Sequence, residues 1–369
     1  MGVSVLLGVG ATALVGPAPP TLADAPVTGD ADLAARAVEA LGPEGVRALS
    51  VAVVDTTAPP PEQVRLAAVG TTAGAGSPPV DPGTPFETGS VAKALDGLLL
   101  ADMVDRGEVR LDERVGDLVP GSPLAADGEA TLQELATHRS GLPRLPRSAL
   151  LPALMSRYSG GDPYSGAPAD LLEDAAGAGA PGGAEPEYSN LGAAVLGQAL
   201  AERAGRPWPD LLAERVLDPV GMTSTSVATT PAEVPVEGAE PVRANGSEVE
   251  PWTAAGWAPA GVGPWSTAED LARLATALLE ASAPGARALE PVTEHSEDRE
   301  IGLHWIVSSE TAGDGGEHVV TWHNGGTAGS RTFVGLDRQR GRAVVVLAST
   351  DRSVDAAAVE LLLQGATRA

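Results

Sequence analysis

The apolar positions of the chain change period four times. Between residues 32 and 41, Leu33, Ala37 and Leu41 recur at four-residue spacing and Gly42-Pro43 follows, which predicts a helix with its stop signal. Leu49, Val51 and Val53 alternate with their neighbours, as do Val64, Leu66 and Ala68, predicting two strands separated by the Pro59-Pro60-Pro61 turn region. Leu95, Leu98, Leu99 and Met103 share one face of a helix predicted over 90–105, with Gly107 at its end. From about 111 to 262 the pattern is helical, with helices over 191–204 and 208–216 and few convincing strands, and 175–187 reads as a mobile Ala/Gly/Pro-rich loop. Ser266-Thr267-Ala268-Glu269 has the form of a capping box and opens a helix through residue 279. Residues 303–307, 318–322, 332–336 and 343–347 all read as strands, with Asp314-Gly315-Gly316 as a hairpin turn, before a last helix over 354–363.

Two early strands and four late ones joined by hairpin-length links predict a single antiparallel sheet, covered on one face by the first and last helices. The expected fold is α/β, more closely α+β, with a mostly helical insertion. Its expected parts are a signal-like or anchor segment and linker over 1–29, a discontinuous sheet domain over 30–110 and 263–369, and a helical insertion over 111–262. No internal repeat is present.

Composition narrows the function. A length of 369 residues with 43% hydrophobic and 20% charged residues suits a buried core. The formal net charge of −25 argues against nucleic acid and anionic membrane surfaces as partners, since both need basic patches. The chain has no cysteine, which excludes thiol catalysis, disulfides and cysteine-ligated metals. The apolar stretch 3–15 followed by Ala23-Asp24-Ala25 reads as an export signal or an uncleaved anchor, so a secreted or cell-envelope location is expected, with membrane anchoring only through that segment. Oligomeric state is not legible.

Every basic residue but one is arginine; the exception is Lys93, three positions after Ser90. Arginine stays protonated in any protein environment, whereas a desolvated lysine sheds its proton and can act as a base. On a helix the two side chains share a face, a pairing that activates a serine without histidine. The bland alternatives are a helix cap for Ser90 and a solvated charge for Lys93. A second piece is Tyr188-Ser189-Asn190, whose phenol could relay a proton and whose amide could hold a substrate amide. Against it stand a loop tyrosine and an ordinary N-cap asparagine. A third is His323-Asn324-Gly325-Gly326, where a glycine admits a substrate backbone and the N–H of Gly326 could complete an oxyanion hole with that of Ser90. Here the competing reading is an Asn-Gly hairpin turn.

No serine has the Gly-x-Ser-x-Gly setting of an α/β-hydrolase, no histidines have His-Glu-x-x-His spacing, and no Gly-rich loop has phosphate-binding form. No metal or other cofactor is expected, and His138 and His318 read as structural.

Ser-x-x-Lys, Tyr-x-Asn and His-x-Gly in that order resemble the serine β-lactamase and D,D-peptidase family, in the branch with class C β-lactamases, D-alanyl-D-alanine carboxypeptidases and related esterases. The likeness runs from about residue 47 to 350. It includes Leu111-Asp112-Glu113-Arg114-Val115, the stretch from Leu135 through His138-Arg139-Ser140-Gly141-Leu142-Pro143, and Pro219-Val220-Gly221-Met222. The resemblance implies an acyl-enzyme hydrolase of D-amino-acid peptides or β-lactams. In it Ser90 is the nucleophile, Lys93 and Tyr188 move its proton, and His323 has an electrostatic or hydrogen-bonding part. Asn190, Gly325 and Gly326 would bind a small-molecule or peptide substrate. Alternatives are a carboxylesterase of the same family and a non-catalytic binding module that keeps the fold. Three positions depart from the family pattern. His323 stands for the lysine of class C β-lactamases, and Asn324 for a threonine that holds substrate carboxylate, a task open to Thr327 or Arg331. His304 stands for a glycine.

Overall fold

The computed structural model describes residues 17–313 and 315–364. The apolar stretch 3–15 and Asp314 of the expected hairpin turn lie outside the described residues. Ala23-Asp24-Ala25 forms an exposed turn just after Leu22, which is buried.

The strands are β1 (Val27–Gly29), β2 (Ala48–Asp55), β3 (Val64–Gly70), β4 (Phe86–Glu87), β5 (Ser226–Val227), β6 (Pro264–Ser266), β7 (Thr293–Ser296), β8 (Arg299–Ile301), β9 (Ile306–Thr311), β10 (Glu317–Gly326), β11 (Ser330–Asp337) and β12 (Arg342–Ser349). The longer helices are α1 (Ala31–Leu41), α2 (Val91–Asp105), α3 (Arg147–Ser159), α4 (Pro168–Ala178), α5 (Asn190–Ala204), α6 (Ala268–Leu279) and α7 (Asp355–Leu363). Nine strands form one antiparallel sheet in the order β1-β3-β2-β12-β11-β10-β9-β8-β7, and β4-β6-β5 make a small second sheet. The early and late strands meet where β2 pairs with β12, from Ala48 opposite Ser349 to Asp55 opposite Arg342.

Alternation explains how this sheet is buried on both sides. In β12, Val344 and Val346 face α1 and α7, in a cluster with Leu33, Ala37, Val51, Val69 and Leu361. Ala343, Val345 and Leu347 face the other way, with α2 and α6. Both faces of the central strands are therefore apolar, each buried side chain contributing about 1.5–3 kcal/mol.

The structure differs from expectation in places that have a physical cause. The helix after Ser266 is capped one residue later, by Thr267, whose Oγ1 accepts the Asp270 N–H. Residues 303–305 are not strand: Gly302 N–H bonds the Trp305 carbonyl in a tight turn, and β9 starts at Ile306. Residues 175–178 complete α4 rather than opening a loop, with Gly179 N–H closing the helix onto Ala175. The edge strands β1 and β7, and β8 beside β7, had no expected counterpart. Finally, β10 runs through Gly326, pairing Gly325 with Thr332 and Gly326 with Arg331, so Asn324-Gly325 is ladder and not hairpin turn. The chain reverses just after it, where Thr327 N–H bonds the Ser330 carbonyl.

Candidate active site

Helix α2 is the axis of the site. Ser90 occupies its N-cap position but has helical dihedrals and makes no capping bond. Its Oγ lies instead 3.0 Å from Lys93 Nζ, one turn along. Lys93 is wholly buried, and its Nζ also donates to the Ala260 carbonyl at 2.5 Å. Burial pulls the Lys93 pKa below the ordinary lysine value, only partly opposed by Tyr188 and Asp96. A neutral amine accepts the Ser90 hydroxyl proton along the same 3.0 Å line that a protonated one would donate along.

Tyr188 closes the far side. Its ring centroid is 5.1 Å from Lys93 Nζ, and the Arg144 guanidinium lies 5.2 Å from the same ring. The His138 ring packs against it at 4.6 Å between centroids. The residue that caps α5 is Ser189, whose Oγ accepts the Gly192 N–H, so Asn190 is not spent on capping. Asn190 Oδ1 is buried with no hydrogen-bond partner among the described residues. Asn190 does not itself line the pocket that holds Ser90.

The third wall is β10. A Cβ on Gly325 would overlap the Thr88 carbonyl oxygen and sit 3.2 Å from Ser90 N. A Cβ on Gly89 would come within 2.5 Å of Gly326 N, so the backbones of 88–90 and 325–326 are in direct contact. Gly261, at φ +108°, presses on Gly89 from the third side, and any side chain there would overlap the Gly89 carbonyl. The Ser90 and Gly326 N–H groups thus lie on adjoining edges of one pocket of about 560 Å³, whose lining also includes Arg144, Tyr188 and Trp252. Gly325→Ala is expected to destabilise the protein by at least about 2 kcal/mol, because backbone blocks backbone and nothing flexible can yield. Urea denaturation followed by tryptophan fluorescence measures this, and an unchanged midpoint would mean that β10 is free to move off α2.

His323 is buried behind the pocket rather than lining it. Its Nδ1 lies 2.6 Å from the Asn324 carbonyl, and burial next to Lys93 takes its pKa down to about 3. It is therefore a neutral imidazole at working pH. Asn324 Nδ2 donates to Asp355 Oδ2 at 2.8 Å, and Thr327 Oγ1 donates to Glu87 Oε2 at 2.7 Å.

Sequence reasoning missed several groups here. His138, read as structural, packs on Tyr188 and accepts the Ser189 N–H at Nδ1 over 3.3 Å. His304 lies 5.1 Å from His138 between ring centroids, with both ring nitrogens buried and without a hydrogen-bond partner among the described residues. The sequence marked this position as a histidine standing for a glycine, and its backbone, at φ +63°, is in the left-handed region where glycine is unstrained. Burial holds His138 and His304 well below the usual histidine range. Glu87 is buried and pushed up to about 7, while accepting the Trp252 N–H at 2.8 Å. Asp96, one turn beyond Lys93, is pushed up to about 8 by burial and accepts the Trp208 indole N–H at 2.7 Å. His318 lies elsewhere, against Asp337 at 2.8 Å.

Comparison with known proteins adds four findings. A family profile described as Beta-lactamase matches residues 34–367. The chain is 32% identical over 144 residues to penicillin-binding protein 4 of Amycolatopsis lactamdurans, covering 37% of this chain and 34% of that protein. It is 30% identical over 152 residues to the D-alanyl-D-alanine-carboxypeptidase/endopeptidase AmpH of Escherichia coli K12, covering 38% of this chain and 36% of that one. The aligned stretch is thus about a third of the length of either relative. In three dimensions the chain superposes on a class C β-lactamase with a TM-score of 0.73 at 19% identity, covering 92% of this chain and 98% of that chain.

Proposed function

The chain belongs to the β-lactamase family, and from that premise we propose that it is a serine hydrolase that carries its acyl intermediate on Ser90. Ser90 Oγ attacks the substrate carbonyl carbon, and its proton passes to the Lys93–Tyr188 pair. The oxyanion is held by the N–H groups of Ser90 and Gly326, a kind of contact worth about 10²–10³ in rate per donor. The leaving group departs with the proton held by the pair. Water then attacks the acyl-enzyme, releasing the acid and returning a proton to Ser90. His323 contributes as a neutral hydrogen-bonding group, and Asn190 Oδ1 accepts an amide N–H of the substrate. The substrate cleft lies between a sheet domain (30–110 and 263–369) and a helical insertion (111–262), and the enzyme works outside the cytoplasm. The observation that carries the proposal is the 3.0 Å approach of Ser90 Oγ to an amine whose burial favours its free-base form.

We take D-amino-acid peptides and β-lactams as the substrate class. A specific observation supports carboxylesters as a second reading: neutral His323 supplies no charge for a substrate carboxylate, and Asn324 and Thr327 are already engaged by Asp355 and Glu87.

Intact-protein mass after incubation with a penicillin, with residual drug assayed in the same tube, tests the chemistry. The expected result is a mass gain or drug loss that Ser90→Ala abolishes. A persistent adduct points to a peptidase and drug consumption without adduct to a lactamase. An intact drug with rapid p-nitrophenyl ester cleavage selects the esterase, and Ser90-independent turnover overturns the assignment.

A further inference from the structure

Beside the pocket that holds Ser90 lies a second cleft of about 730 Å³, and Arg144, Trp252, Thr327 and Arg331 line both. Its outer wall is α3, which presents Leu150 and Leu154 (56% and 50% exposed). Four arginines line this cleft, Arg144, Arg157, Arg243 and Arg331, against a single carboxylate, Asp351. The chain as a whole carries a net charge of −25, so this local excess of positive charge runs against the rest of the surface.

These arginines are also underused. Arginines elsewhere, such as Arg65, Arg215 and Arg338, are held by carboxylates. Among the described residues, none of the four in the cleft is within ion-pair distance of a carboxylate. Arg331 donates to the Thr327 and Ser330 carbonyls at 2.7 and 2.8 Å, and Arg243 to the Ser156 carbonyl at 3.2 Å. Asp351 is itself engaged, accepting the Ala244 N–H at 2.7 Å. Burial lowers the Arg331 pKa below the usual arginine value, and the carboxylates of Asp351 and Asp355, though beyond ion-pair distance, oppose it only in part.

We propose that this cleft is a substrate subsite for an acyl arm with an apolar stem and a terminal carboxylate. The stem lies along Leu150, Leu154 and Trp252, and the carboxylate meets the arginines. The inference rests on Ser90 as the nucleophile, because the cleft opens onto the pocket of that residue. It assigns specificity to a charge that His323 does not provide.

Two measurements test it and separate its failure from failure of the chemistry. In the first, mono-p-nitrophenyl esters of dicarboxylic acids from succinate to sebacate are compared with their methyl-capped counterparts. The free-acid esters are expected to have kcat/KM about tenfold higher, an advantage that shrinks with added salt, as an exposed charge contact should. The Arg157→Gln/Arg243→Gln double variant should bring the ratio of the two substrates near one, with thermal unfolding followed alongside. In the second, monomethyl suberate is titrated calorimetrically into Ser90→Ala protein, which reads binding without turnover. Binding that the double arginine variant weakens tenfold, with no ester cleaved and no Ser90-dependent reaction with a penicillin, keeps the anionic subsite and overturns the nucleophile. Ester cleavage with a ratio near one in the unaltered protein, or a ratio or binding that the double variant leaves untouched, overturns the subsite.

Discussion

Lys93→Arg is expected to slow Ser90 acylation by roughly three orders of magnitude, within the range lost when a general base is removed. The substitution keeps a positive charge and most of the stem, so a role for Lys93 as a simple cation would leave much of the rate. The base role predicts collapse, because arginine cannot release its proton at any pH the protein survives. Burial makes the contrast sharper. The Lys93 site is closed to solvent and favours a neutral amine, whereas a guanidinium there is an unpaired buried charge costing several kcal/mol. Lys93→Arg therefore risks unfolding as well as inactivation, and Lys93→Met is the companion variant. Methionine keeps the apolar stem, removes both charge and base, and should leave stability within about 1–2 kcal/mol while losing acylation to the same degree. Stopped-flow acylation by a chromogenic penicillin or ester, with circular dichroism on each variant, reads both effects. A folded arginine variant within tenfold of the unaltered rate would sink the base assignment.

What the sequence disclosed and what it hid follow one physical division. Ser90 and Lys93 were legible because their relation is local: three residues on a helix fix the geometry without any knowledge of the rest of the fold. The central strands were legible because a short run of apolar, β-branched residues survives in any context, as in 343–347. The strands β7 and β8, Thr-Glu-His-Ser and Arg-Glu-Ile, are too short and too polar for that signal. Helix α2 was read with one apolar face, yet nearly all of it is buried, because sheet and helices enclose it on every side. Periodicity reports a face only when another face is wet. The His138, His304, Glu87 and Asp96 positions carry no spacing rule at all. They belong to four separate segments, and only the close packing of α2, α5 and β10 gives them a shared environment. The arginine-lined cleft is hidden for the same reason, since its cations come from the loop before α3, from α3 itself, from the segment before Gly246 and from β11.

The stability that Asp96 and Glu87 contribute is expected to fall by a few kcal/mol as pH rises from about 5 to about 8. Asp96 is pushed up to about 8 and Glu87 to about 7, both chiefly by burial. Their unfolded values lie near 3.8 and 4.5. Between those limits the folded chain holds protons that the unfolded chain releases, so each pH unit favours unfolding by about 1.4 kcal/mol per group. The stabilisation is complete below about pH 4 and lost as pH passes through 7 and 8. Lys93 acts in the opposite sense. Its lowered value means that the unfolded chain takes up a proton that the folded one does not, so it adds stability with rising pH below 10.5. The buried His138, His304 and His323, also held below their ordinary value, act in the same sense as Lys93 at pH below about 6.5, so a single-site comparison is needed to read the acids. Asp96→Asn isolates the stronger of the two acids. Asparagine copies the neutral carboxyl, keeps an acceptor for the Trp208 N–H, and cannot ionise. Its stability relative to the unaltered protein should therefore grow by a few kcal/mol from pH 5 to pH 8, measured by urea denaturation at each pH. A difference flat with pH would mean that Asp96 is ionised in the fold and paired with a protonated Lys93. That outcome would also remove the free-base amine on which Ser90 activation depends, so one titration bears on both the core and the chemistry.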